Sequence, residues 1–194
     1  MANADNPNGF RPVRYLSGAP YNGASNKYVA AENLFLGDLV ELTGADGDGY
    51  PTVGRSEAGD AHVGAVVGWD AVPSANGSAT LENLYCASGA VVYVADDPML
   101  VFEAQQDGTD IVDASIGLNV EAVVAAGSTT TGKSNMEVDS DTAATTNTLS
   151  LQLVGKVDRA DNSFGATTDT NSRVLVRINT HAYTVGYTTG GTGV

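Results

Sequence analysis

Thr148-Leu149-Ser150-Leu151-Gln152-Leu153-Val154-Gly155-Lys156-Val157-Asp158 alternates apolar and polar side chains. A period of two places every second residue on one face of a pleated strand, so this stretch reads as a half-buried β-strand. Arg173-Val174-Leu175-Val176-Arg177-Ile178-Asn179 repeats the pattern downstream. Upstream, Asp38-Leu39-Val40-Glu41-Leu42-Thr43 and His62-Val63-Gly64-Ala65-Val66-Val67-Gly68-Trp69 read the same way. Ala90–Ala95 and Met99–Ala104 flank Asp96-Asp97-Pro98 like the arms of a hairpin. Short strands punctuated by Gly, Asp, Asn and Thr predict an all-β fold, a jelly-roll-like sandwich or barrel. Helix signals are confined to Asp110–Gly117 and one turn at Ala30–Leu34. The pattern divides the chain into an extended N-terminal arm (1–27), a β-rich body (28–183), with a possible division into two small subdomains near 105–120, and a flexible C-terminal tail (184–194).

The chain has 194 residues, 9 Lys+Arg and 23 Asp+Glu, for a net charge of −14. Such a charge repels phosphate backbones, which argues against nucleic acid as a direct ligand. No apolar run approaches the ~20 residues a spanning helix needs, so no membrane partner is expected. The charge is uneven. Residues 1–31 carry Arg11, Arg14 and Lys27 against Asp5 alone, while no base falls between Arg55 and Lys133. The acids in that gap are expected mostly to face solvent. Phe10, Arg11, Arg14, Tyr15 and Tyr21 combine the residue types enriched at interface anchors, and Pro12 and Pro20 hold the segment extended. These five are the candidate docking residues.

Sites of chemistry are poorly supported. Gly127-Ser128-Thr129-Thr130-Thr131-Gly132-Lys133-Ser134 matches the phosphate-loop pattern, but the residues after it alternate with period two where a helix is required. Asp46-Gly47-Asp48-Gly49 resembles the start of a calcium loop, yet Tyr50 and Pro51 occupy positions five and six, and the sixth demands Gly. His62 and His181 lack metal-ligand spacing and are placed at strand edges, at the surface or hydrogen-bonded. Cys86 stands alone and reads as a buried small hydrophobe. No nucleophile elbow is present. The expectation is a non-enzymatic protein with no cofactor and no metal.

Phe10–Gly18, Gly37–Gly44, Val63–Trp69, Tyr93–Pro98 and Val174–Asn179 resemble the head cement, or decoration, proteins of tailed bacteriophages. The resemblance runs over nearly the whole chain, and its motifs are structural. It implies a virion protein on the outer surface of the mature icosahedral capsid. There it would clamp adjacent major capsid proteins against internal DNA pressure, as a homodimer or homotrimer on local symmetry axes. A carbohydrate- or receptor-binding β module of the virion is the alternative, with Trp69 or Tyr93 on a sugar-binding face.

Overall fold

The computed structural model describes residues 3–70 and 84–184. They form eleven strands: β1 (Arg11–Tyr15), β2 (Asn26–Ala30), β3 (Leu39–Ala45), β4 (Pro51–Arg55), β5 (Gly64–Trp69), β6 (Val91–Ala95), β7 (Leu100–Gln105), β8 (Asn119–Val123), β9 (Glu137–Ala144), β10 (Leu151–Lys156) and β11 (Arg173–Ile178). The only helical element among them is a 3₁₀ turn at Asp113–Ser115, just before Gly117 (φ +99°). The chain is all-β, as the period-two pattern requires.

Five strands close a barrel in the order β2-β4-β3-β5-β6. Its interior is filled by small and β-branched side chains, among them Ala30, Val40, Val53, Val66, Val92 and Val94, with Tyr28, Leu34 and Cys86 in the same cluster. Filling by Val and Ala suits the narrow bore of a small barrel. Cys86 is wholly buried, and burial pushes its thiol up to about 11. The remaining six strands form an antiparallel sheet, β1-β7-β11-β10-β8-β9. Leu100, Phe102, Leu151, Leu153, Val174, Val176 and Ile178 from this sheet share one core with Leu39, Ala65 and Ala95 of the barrel. One continuous apolar layer therefore joins the two.

Three expectations are corrected by this topology. The segments flanking Asp96-Asp97-Pro98 are not a hairpin. β6 pairs with β2 and β5, whereas β7 pairs with β1 and β11, so the turn carries the chain from barrel to sheet. Asp97 Oδ1 accepts the Met99 amide (2.7 Å) and Asp97 O the Leu100 amide (3.0 Å), which reverses the chain without pairing its flanks. The sheets consequently divide between Ala95 and Leu100, and residues 105–120 join β7 to β8 within one sheet. Finally, residues 30–34 form no helical turn. Leu34 instead makes a bridge pairing with Cys86.

The N-terminal segment is not an extended arm. β1 lies along β7, with Arg11 opposite Glu103 and Tyr15 opposite Leu100. Further upstream, Asn3 Nδ2 donates to the Ser163 and Thr170 carbonyls (both 2.8 Å), and the Asn6 amide donates to Gln105 Oε1 (3.2 Å). The physical reason is Phe10, which is fully buried. Withdrawing a Phe side chain from water is worth about 2–3 kcal/mol, and pairing satisfies one edge of β7. Beyond Thr184, the proposed tail lies outside the described residues.

Candidate functional site

The segment Leu34–Asp38 is the hub of the molecule. Leu34 exchanges backbone bonds with Cys86, Leu36 with the Gly132–Ser134 loop, and Gly37 with both Phe10 and Val66. Gly9 (φ +62°) and Gly37 (φ +89°) meet backbone to backbone. A Cβ on Gly9 would sit 2.3 Å from the Gly37 carbonyl oxygen, and one on Gly37 would sit 2.4 Å from that of Asn8. No other residue type permits both the conformation and the approach. The clasp is sealed by the Phe10 amide donating to Gly37 O (2.8 Å). Asp38 is buried beside it, its carboxylate accepts the Phe35 amide (2.9 Å), and burial pushes it up to about 6.

Above the clasp lies a groove of about 530 Å³ whose lining includes Phe10, Arg11, Tyr21, Leu36, Val66, Val67 and Lys133. Its floor is apolar, and Leu36 is 40% exposed within it. Arg11 and Lys133 are both exposed. The ion pairs among the described residues use Arg55, Arg159 and Arg173, so among those residues neither groove cation has a carboxylate within 4.0 Å. Glu103, opposite Arg11 in the ladder, is already engaged by Arg159 (3.1 Å) and Arg173 (3.7 Å). That engagement also explains why this acid is buried, contrary to the general expectation for the base-free stretch. Glu121, likewise buried, accepts from the Ser150 hydroxyl and the Ala122 amide.

Of the five candidate docking residues, the structure brings Phe10, Arg11 and Tyr21 to the groove. Phe10 contributes to its floor as part of the core, and so is not a free anchor for a partner. Tyr21 packs against the core and donates its hydroxyl to the Ala24 carbonyl (2.9 Å), and burial raises its pKa. Arg14 and Tyr15 lie past a β-bulge at Val13 and are not part of the groove lining. Arg14 Nη1 donates to the Tyr15 carbonyl (3.3 Å), and the Tyr15 hydroxyl donates to Asn22 Oδ1 (3.2 Å). Lys133 is the groove residue that the sequence placed elsewhere, in the phosphate-loop motif.

That motif is a loop between strands. β9 follows it where a helix would be needed, and the Gly132 amide donates to the Ser128 carbonyl (2.8 Å). Gly127 abuts the Phe35 ring, where a Cβ would meet Cγ at 2.2 Å. The loop thus serves to press Lys133 beside Leu36. At Asp46-Gly47-Asp48-Gly49, Asp46 Oδ1 accepts the Asp48 and Tyr50 amides (3.1 and 2.6 Å), which makes this the turn between β3 and β4. Among the described residues no group of three or more His, Cys, Asp or Glu side chains converges to hold a metal ion.

The histidines depart from expectation. His62 and His181 are both buried and form a bridge pairing that ties the end of β11 to the start of β5. Among the described residues neither ring nitrogen of His62 has a partner, and burial lowers its pKa to about 4. Both rings are therefore neutral components of the core at physiological pH. The aromatics of the carbohydrate alternative are engaged within the chain. Trp69 packs against the barrel core, and Tyr93 donates its hydroxyl to Asp70 (2.8 Å) under the Lys27 ammonium. Comparison with known proteins yields no matching family model, curated protein or solved structure.

Proposed function

We propose that this chain is a capsid decoration protein. It binds the outer surface of a mature icosahedral bacteriophage head and clamps adjacent major capsid proteins, acting as a homo-oligomer on local symmetry axes. The observation that carries the reading is the groove: two uncompensated cations over an apolar floor, on a molecule of net charge −14. Arg11 and Lys133 are two of the six bases that make no ion pair among the described residues, and their convergence beside exposed Leu36 gives this acidic protein a basic, apolar-floored surface suited to docking. Three of the segments that resemble cement proteins contribute to that surface, through Phe10, Arg11 and Pro12, through Gly37, and through Val66 and Val67. Many copies binding only the expanded shell would stabilise it by linkage.

The test is co-sedimentation with DNA-filled heads and with unexpanded shells of the encoding phage. A fixed copy ratio to the major capsid protein on full heads alone is expected. Absence from both particles refutes the reading. Deleting the first sixteen residues is a poor probe, because it removes β1 and Phe10 and so damages the core.

A further inference from the structure

Resting on the docking reading, we propose that the groove receives an extended segment of the partner protein in which a carboxylate side chain alternates with apolar ones. The carboxylate lies between Arg11 and Lys133, and its apolar neighbours cover Leu36, Val67 and Pro12.

Charge complementarity selects the acid. Arg11 and Lys133 stand on different segments, one on β1 and one on the loop before β9, and the fold brings both to one rim. The nearest acid in register with Arg11 is neutralised by two other arginines. An entering carboxylate therefore meets two free cations. The floor selects against a bare anion. Leu36, Val67 and Pro12 offer exposed carbon, so inorganic phosphate would leave the apolar surface uncovered and its own oxygens short of donors. The volume, about 530 Å³, falls in the range that encloses several side chains.

The probe is a fluorescein-labelled short peptide of alternating Leu/Val and Asp/Glu, beside its Asn/Gln counterpart, read by anisotropy against the full chain. The acidic peptide is expected to bind at least ~10-fold more tightly than the amide peptide, and to lose about the same factor on the double variant Arg11→Gln/Lys133→Gln. Both residues are exposed and unpaired, so the variant should keep the wild-type melting temperature. Equal binding of the two peptides, equal binding by the variant, or no binding at ~1 mM peptide overturns the proposal. Displacement by millimolar inorganic phosphate overturns it in favour of an anion site, and a change of oligomeric state in the variant overturns it in favour of a second copy. Head binding separates this proposal from the reading beneath it. If the variant decorates heads as well as wild type, the groove assignment fails and decoration stands. If wild type binds the acidic peptide but no heads, decoration fails and the groove assignment stands.

Discussion

Replacing Phe10 with Ala distinguishes a core strand from a docking arm. The side chain is fully buried and shares a cluster with Leu39, Leu100 and Phe102. Returning it to water forfeits about 2–3 kcal/mol of transfer free energy. A residual cavity of roughly 80 Å³ at about 24 cal/mol per Å³ adds ~2 kcal/mol. The expected loss is therefore about 4 kcal/mol, a large part of the 5–15 kcal/mol typical of a domain. Urea denaturation followed by Trp69 fluorescence reads it directly, and with a slope of about 2 kcal/mol/M the midpoint falls by ~2 M. Arg11→Ala, one residue away and exposed, should stay within about 0.5 kcal/mol of wild type. A loss below ~1 kcal/mol for Phe10→Ala, together with loss of head binding, would show that this side chain reaches a partner and that the packing argument is wrong.

Other substitutions test separate parts of the construction. A Cβ on Gly64 would lie 2.1 Å from the Ala95 carbonyl oxygen, so Gly64→Ala should cost more than ~2 kcal/mol in chemical denaturation, while Gly47→Ala, with open space around it, should change little. Gly37→Ala should release the N-terminal clasp, seen as faster hydrogen exchange across residues 9–15; unchanged protection would remove the clasp from the argument. His62 is neutral in the fold and titrates near 4, against about 6.5 when unfolded, so its contribution is complete above pH 6.5 and is lost as the pH falls toward 4. Asp38, raised to about 6, has the opposite slope, so the difference between wild type and His62→Leu is the proper readout. That difference should shift toward the variant by about 2–3 kcal/mol between pH 7 and pH 4.5; a constant difference refutes the assignment.

Strands were legible where apolar and polar side chains alternate over a long run, whereas the short β2 and β4 went unread. β10 and β11 alternate in burial as they alternate in hydropathy. β7 is buried along its whole length, because loop residues such as Arg159 cover its second face, and its apolar run still reads as a strand. Pairing was not legible. Asp96-Asp97-Pro98 has the chemistry of a reversal, and the same chemistry serves a hairpin or a crossover, since what differs is the identity of the neighbours. Phe10-Arg11-Pro12 was ambiguous for a related reason, because an aromatic beside Arg describes an interface anchor and an edge strand equally well. The groove was half legible. Arg11 stood out by charge, but Lys133 joins it only through the bridge between Leu36 and the loop preceding β9, a contact across almost a hundred residues that no local pattern encodes.

The crossing of β1 into the far sheet orders events during synthesis. Every barrel strand has been made once Ala95 leaves the ribosome, but β1 must wait for β7, and the sheet closes on β7 only when Arg173–Ile178 arrive. Non-local pairings of this span close slowly and leave apolar surface exposed meanwhile. Phe10 is therefore among the earliest residues made and the last to be enclosed. Its late enclosure makes the groove a marker of completion. A chain stopped before Lys133 carries half the rim, and one stopped before β11 lacks the neighbour that flanks β7. Only a chain that extends through β11 should present the surface that a partner could grip.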